Sequence, residues 1–138
     1  DEAAAERVLR DAIVRHPDAA VLYRALGLSL VRQKRMDDAL SALADAARLG
    51  GDDPANGYTY ALALFDLGRR ADALALLKET AERHPNELSL LGMLLELSIQ
   101  VGDRETAIRS ARRLLEFMPD ASQLRSLISS LEAQRPHP

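Results

Sequence analysis

Apolar residues repeat along this chain with a period of 34 residues. One column of small apolar residues contains Ala5, Ala39, Ala73 and Ala107. Four residues beyond each of these stands a second column, Leu9, Leu43, Leu77 and Ala111. Within each unit the apolar residues recur at i, i+4 and i+7, which is the spacing of one helix face. Because a fixed period of roughly 20 to 50 residues is typical of repeat architectures, the pattern predicts a stack of equivalent helical units.

A second type of helical segment lies between these units and has the same period. A turn column separates the two helix types and contains Lys34, Gly68 and Gly102. The predicted helices are 2–15, 19–33, 37–49, 54–67, 71–83, 87–101, 104–117 and 121–134. Their short connections force neighbouring helices to be antiparallel, so the sequence predicts an all-α stack of helical hairpins.

The columns resemble the tetratricopeptide repeat (TPR), whose motif has an aromatic residue, then Leu-Gly, and later an Ala-x3-Phe pair and a proline. The first unit contains Tyr23-x2-Leu26-Gly27-x2-Leu30 and Ala39-x3-Leu43. The second contains Gly57-x2-Tyr60-Ala61-x2-Leu64, Ala73-x3-Leu77 and Pro85. The third contains Leu91-x2-Leu94-Leu95-x2-Ser98, Ala107-x3-Ala111 and Pro119. The resemblance therefore extends over nearly the whole chain.

This resemblance implies an all-α, right-handed TPR superhelix of about eight helices in antiparallel hairpins. We treat the chain as one TPR domain. Residues 1–19 hold the second helix of a partial repeat, and three full repeats follow at 20–53, 54–87 and 88–121. Residues 122–138 form a C-terminal capping helix and tail, because the predicted helix there has a single apolar stripe.

Three residues depart from the family pattern. Leu95 stands in a column that is normally small, whereas Ser98 and Ala111 stand in columns that are normally large. The hairpin at 88–121 is therefore expected to pack with a different spacing between its helices.

In TPR proteins the first helix of each hairpin lines the concave face, where partner peptides bind. The helix face opposite the small-residue column supplies the candidate residues of such a groove. They are Arg24, Leu28, Arg32, Tyr58, Leu62, Phe65, Met93 and Glu96. An apolar strip rimmed by charges suits an amphipathic helix or an extended apolar segment. The alternative is that Val31, Phe65 and Ile99 pack between adjacent hairpins instead.

Chaperone-binding TPR proteins carry a clamp of Lys, Asn and Arg residues that holds two carboxylates. The corresponding positions here are Arg24, Leu28, Thr59, Ser89 and Met93, of which only Arg24 is basic. The clamp is absent, so we do not expect recognition of an acidic C-terminal peptide.

Composition and charge narrow the partner class. Apolar residues make up 47% of the chain and charged residues 28%, which predicts a packed core. The net charge is −3, which gives no attraction to nucleic acid or to an anionic membrane. The related pentatricopeptide family, which binds RNA, has a period of 35 and is usually basic, so it fits less well. No apolar run approaches the length of a membrane-spanning helix.

The chain offers little chemistry for catalysis or metal binding. It contains no cysteine, and His16 and His84 occupy the same repeat column two repeats apart. Paired carboxylates fall at helix starts, where capping explains them, and no phosphate-binding loop or nucleophile elbow occurs. We therefore expect no enzyme activity, no metal site and no cofactor.

The sequence thus predicts a non-catalytic scaffold that binds a partner peptide or helix in its concave groove. Only Lys34 and Lys78 of the 18 basic residues are lysines, which favours a GC-rich genome. The chain does not begin with Met, so we expect it to be a mature form or a piece of a larger bacterial protein. The expected location is the bacterial cytoplasm or periplasm. Two alternatives stay open: a TPR chaperone of a secretion or envelope-assembly system, and a self-assembling structural TPR protein.

The N-terminal helix carries apolar residues on more than one side. Val8, Leu9, Ala12 and Ile13 lack a preceding hairpin to cover them. Since the ends of a repeat stack need polar faces, either further repeats precede residue 1 in the parent protein or this end associates with another copy of the chain.

Overall fold

A computed structural model describes residues 1–134, and over that range it consists of eight α-helices joined by short turns. The helices are α1 (Glu2–Arg15), α2 (Ala20–Arg32), α3 (Met36–Leu49), α4 (Pro54–Asp66), α5 (Arg70–Arg83), α6 (Leu88–Val101), α7 (Arg104–Phe117) and α8 (Ser122–Ala133). Every predicted helix is present, with each end displaced by at most one residue. The predicted all-α fold is confirmed. The last four residues of the predicted tail lie outside the described part of the chain.

Contacts between Cα atoms group the chain into two compact units, Asp1–Leu76 and the remainder from Leu77 onward. In the first unit α2 packs against both α1 and α3, and α4 contacts α3 and α2. In the second unit α6 packs against α7, and α7 against α8. The boundary falls within α5.

In the first unit α2 and α3 approach each other most closely at Gly27. A Cβ atom at this position would lie 2.5 Å from Cδ2 of Leu43, a side chain with 0% exposure. The absence of a side chain at Gly27 therefore makes room for the leucine. Leu26 and Leu30 pack beside this contact with Ala39 and Ala42 in one buried cluster.

In the second unit the sizes are exchanged at the equivalent pair of positions. Leu95 replaces Gly27, and Ala111 replaces Leu43, two repeats further along the chain. Both are buried in the same cluster, with Leu91 and Leu114. The two departures from the family pattern thus compensate each other, because the large side chain now comes from the first helix of the hairpin. The expected change of helix spacing stays a prediction.

The third departure, Ser98, is fully buried where the other repeats have a leucine. Its hydroxyl donates to the backbone carbonyl oxygens of Leu94 and Leu95, the latter at 3.2 Å. A buried serine that bonds to its own helix leaves no unsatisfied polar group.

The turn column adopts the backbone conformation that its two glycines indicate. Gly68 and Gly102 have φ angles of 78° and 80°, and Lys34 has a φ of 60°. These lie in the left-handed region, which costs a residue with a Cβ atom about 1 kcal/mol. Lys34 bears this strain where the other two turns have glycine.

Asp103 begins α7 and links it to α5. Its carboxylate accepts from the backbone N–H of Thr106 at 3.2 Å and from Nζ of Lys78 at 2.7 Å. Burial by itself would raise the pKa of this carboxyl. Hydrogen bonds from Lys78 and Thr106 outweigh that effect and lower the pKa of Asp103 to about 2.

We predict that Gly27→Ala destabilises the chain by about 1–3 kcal/mol, because the added methyl group overlaps Leu43. Gly92→Ala is the matched control: Gly92 lies inside α6, and nothing lies within 4 Å of its added Cβ atom. That substitution should stabilise the chain by up to about 1 kcal/mol through helix propensity. Urea unfolding followed by circular dichroism measures both. Equal stabilisation by the two variants would show that α2 and α3 do not meet at Gly27.

We also predict that Asp103→Ala lowers the free energy of unfolding by about 1–2 kcal/mol at pH 7, through loss of the cap and of the Lys78 pair. A carboxyl whose pKa is lower in the folded state than in the unfolded chain contributes stability above pH 4, and this contribution is lost as the pH falls towards 2. The difference between variant and wild type should therefore shrink over that interval. Urea titrations at pH 7, 4 and 2.5 test this, and a constant difference would contradict it.

Candidate functional site

Six of the eight candidate groove residues lie in the first unit, on α2 and α4, which contact each other. Leu28 is 40% exposed, and Leu62 occupies the equivalent position one repeat later and is half-buried. Tyr58 and Phe65, also on α4, are half-buried as well. We call these four apolar and aromatic residues the α2–α4 strip. All four are partly exposed, and they lie on two helices that contact each other.

The remaining two candidates lie on α6 in the second unit. Met93 is half-buried and Glu96 is exposed. Glu96 occupies the position equivalent to Leu28 and Leu62, so the apolar column ends in a carboxylate at the third repeat. Nearby Ile99 is 42% exposed, whereas its counterpart Val31 packs against the core of the first unit.

Phe65 has one ring face covered from within the chain. The guanidinium carbon of Arg70 lies 5.6 Å from the ring centroid, in the geometry of a cation–π contact. A ligand on the α2–α4 strip would therefore meet Phe65 beside a positive charge.

Arg24 is held in a polar cluster at the start of α4. Its Nη1 atom donates to Oδ1 of Asn56 at 2.9 Å and to Oδ2 of Asp53 at 3.2 Å. The side-chain amide of Asn56 donates in turn to the carbonyl oxygen of Gly50 at 2.8 Å. The Arg24 side chain therefore joins α2 to α4, whether or not it also contacts a partner.

The buried Asn56 is the residue that sequence reasoning missed. It is 2% exposed, and the other two repeats have Leu22 and Leu90 at the same position. A Cβ atom at Gly50 would lie 2.4 Å from Nδ2 of Asn56, so the glycine makes room for the amide. The signal was a single polar residue in a leucine column, three residues after the helix-starting Asp53.

Arg32 is also paired, although it is exposed. Its Nε atom donates to Oε1 of Glu2 at 2.6 Å, and the hydroxyl of the fully buried Ser29 donates to Oε2 of Glu2 at 2.7 Å. The hydrogen bond from Arg32, and then that from Ser29, lowers the pKa of Glu2. One turn later Glu6 accepts from Arg35 at 2.8 Å. These carboxylates fasten α1 to α2 and to the start of α3.

Two open clefts outside the α2–α4 strip are lined by equivalent positions two repeats apart. In the first unit the lining of the cleft includes Ile13, Tyr23 and Leu26. In the second unit it contains Ala81, Leu91 and Leu94. The cations at the rim of the second cleft are all engaged: Lys78 with Asp103, Arg109 with Glu105, and Arg113 with Glu116. Arg10, at the first cleft, pairs with Glu6, so neither cleft offers a cluster of unpaired cations that would hold an anion.

Within residues 1–134, the structure gathers no group of three or more His, Cys, Asp or Glu side chains that could hold a metal ion. None of the eight helices described is both long enough and apolar enough to cross a membrane.

Two family models match the sequence. The model described as anaphase-promoting complex, cyclosome, subunit 3 matches residues 2–80. The tetratricopeptide repeat model matches residues 64–131. Together they cover almost all of the described chain.

Among curated proteins, the chain is similar to the cytochrome c-type biogenesis protein CycH of Pseudomonas aeruginosa, with 31% identity over 123 residues. The match covers 87% of this chain and 30% of CycH. A TPR repeat-containing protein of the same bacterium is 34% identical over 87 residues, which is 62% of this chain and 15% of that protein. The chain thus spans less than a third of the length of either relative.

Solved structures share the fold at low sequence identity. MamA superposes with a TM-score of 0.74 at 16% identity, covering 95% of this chain and 77% of MamA. YrrB, described as a TPR protein with an unusual peptide-binding site, gives 0.73 at 18% identity, covering 96% of this chain and 68% of YrrB. These likenesses show the fold alone.

We predict that Asn56→Ala destabilises the chain by about 1–3 kcal/mol, because it removes a buried bond to Gly50 and leaves Arg24 with one partner. Asn86→Ala is the control: Asn86 is exposed and accepts from Arg113. It should cost less than about 0.5 kcal/mol. Thermal unfolding followed by circular dichroism separates the two, and equal losses would place Asn56 outside the core.

Proposed function

The chain belongs to the tetratricopeptide repeat family, and from this we propose that it binds a segment of another protein along the α2–α4 strip. TPR proteins generally act as non-catalytic scaffolds for protein–protein interaction, and we propose the same role here. The observation that carries the proposal is the equivalent placement of Leu28 and Leu62 on two contacting helices, with Leu28 left 40% exposed.

The chemistry of the strip favours an apolar or amphipathic partner. Leu28, Leu62 and the ring of Tyr58 offer dispersion contacts and bury apolar area when covered. A helix that presents apolar residues at i, i+3, i+4 and i+7 would match two neighbouring helices of this kind. Met93 and Glu96, on α6 of the second unit, are proposed as further partner contacts.

The charges beside the strip favour an acidic flank on the partner. Arg32 is exposed, and its partner Glu2 is 40% exposed, so their ion pair is solvated and worth little net stability. A carboxylate on the partner would compete with Glu2 for the guanidinium of Arg32. Arg24 is proposed to contribute positive potential from within its cluster with Asp53 and Asn56.

The likeness to CycH favours a second candidate function. CycH is named for cytochrome c biogenesis, and its match covers 87% of this chain. The second candidate is therefore a chaperone-like module that holds a polypeptide during the assembly of a c-type cytochrome. An array of overlapping peptides from apocytochromes c tests this candidate, and binding no stronger than to scrambled peptides would exclude it.

We predict that Leu28→Glu abolishes capture of the partner that the wild-type chain retains from an extract of its source cells. The control is Val14→Glu, since Val14 is 80% exposed on α1 and lies outside the strip. Mass spectrometry identifies what each variant retains, and circular dichroism confirms that both keep their helices.

Loss of the same protein from Leu28→Glu alone would support the strip as the binding surface. Retention by both variants would exclude it, and loss from both would show a general effect of added charge. A purified partner would then be titrated by fluorescence anisotropy. We expect the dissociation constant of Leu28→Glu to be at least about ten times that of the wild-type chain, equivalent to about 1.4 kcal/mol of binding free energy.

A further inference from the structure

One buried side chain between α2 and α4 departs from the repeat in its chemistry. Asn56 is 2% exposed, and a side-chain amide loses its hydrogen bonds to water when it is buried. Packing of the repeat does not require an amide here, because the equivalent positions in the rest of the chain are all leucines. They are Leu22, Leu90 and Leu124. Packing alone therefore does not account for Asn56.

Two further exceptions to the repeat contact Asn56. Gly50 accepts from its Nδ2 atom at 2.8 Å, and a Cβ atom at Gly50 would lie 2.4 Å from that nitrogen. Arg24 donates to its Oδ1 atom at 2.9 Å and is the only cation in its repeat column. The equivalents of Gly50 are His16, His84 and Met118, and those of Arg24 are Tyr58, Gly92 and Ser126. The glycine thus makes room for an asparagine, and the asparagine holds an arginine.

Asn56 holds the guanidinium of Arg24 without cancelling its charge. An amide oxygen is a neutral acceptor, whereas a carboxylate at the same position would neutralise the cation. The second acceptor, Oδ2 of Asp53, lies 3.2 Å from Nη1 of Arg24, and the Asp53 side chain is 55% exposed. Because water screens a pair of this exposure, Arg24 keeps positive potential in a fixed orientation.

The bonds of Arg24 leave one edge of its guanidinium unused by Asn56 and Asp53. Both bonds come from Nη1. Carboxylates prefer two parallel N–H donors, and Nε and Nη2 form such a pair on the opposite edge. Arg24 also lies one helical turn before Leu28, on the same face of α2. A carboxylate on that edge would therefore lie about one turn from an apolar contact with Leu28.

We propose that Asn56 determines the specificity of the α2–α4 strip, by positioning Arg24 to select a partner with a carboxylate about one helical turn from its apolar residues. The inference rests on the proposed function, and it adds the chemical group that the partner carries. Asn56 is buried and does not touch the partner, so it is a positioning residue that acts through Arg24.

A phage-displayed library of amphipathic helical peptides tests the proposal, with the apolar positions fixed and the polar positions randomised. The library is selected separately against the full wild-type chain, Asn56→Leu, Arg24→Gln and Asn86→Ala. Asn56→Leu introduces the leucine of the other repeats, which fills the site but cannot accept from Arg24. Asn86→Ala is the matched control, because Asn86 also accepts from an arginine, Arg113 at 2.6 Å, but lies in the second unit.

We expect wild type and Asn86→Ala to enrich peptides that have Asp or Glu about one turn from an apolar residue. Asn56→Leu and Arg24→Gln should still select apolar peptides but without the acidic preference. A selected acidic peptide is then titrated beside the same peptide with Gln in place of its Glu. Wild type should bind the acidic form at least about ten times more tightly, and the two variants should distinguish the forms by less than about three times.

An equal preference of wild type and Asn56→Leu for the acidic peptide would overturn the proposal. So would an acidic preference that Arg24→Gln retains, or loss of every peptide from Asn56→Leu, which would indicate damage to the fold instead of changed selectivity. Circular dichroism and urea unfolding check each variant, and Asn56→Ala, which also removes the acceptor, takes the place of Asn56→Leu if the latter does not fold. If wild type enriches no peptide at all, the proposed function fails together with this inference.

Discussion

The meeting of a small residue with a large one between the two helices of a hairpin is the contact on which the described structure depends. At Gly27 it brings α2 so close to Leu43 of α3 that even a methyl group would overlap the leucine. The second unit preserves the contact with the sizes exchanged, as Leu95 and Ala111. Packing density, and not the identity of either residue, is therefore what the repeat maintains, since interiors are as densely packed as organic crystals.

The contact between Gly27 and Leu43 also determines which face of α2 stays exposed. α2 turns Gly27 towards α3, so Leu28, about 100° further around the helix, faces away from that contact and is exposed. The apolar surface proposed for binding therefore follows from the way α2 packs against α3.

Charged side chains link neighbouring helices, although the net charge of the chain is only −3. Arg24 connects α2 to α4 through Asn56 and Asp53, and Arg32 connects α2 to α1 through Glu2. Both arginines were predicted as rim residues of a groove. Their intramolecular partners mean that an acidic partner segment must compete with Asp53 or Glu2, which sets a limit on the affinity that these charges can add.

The sequence by itself determined the eight helices, their turns and the family, because period, caps and turn residues are local signals that repeat three times. It also identified Leu95, Ser98 and Ala111 as exceptions. Only the tertiary structure decided that Leu95 and Ala111 compensate each other and that Arg24 is bound to Asn56. Each of these depends on a contact between helices; for Arg24 the partners are 29 and 32 residues away along the chain. The residue types in a repeat column show what a position usually contacts. Which side chain it contacts in this chain depends on how the helices pack.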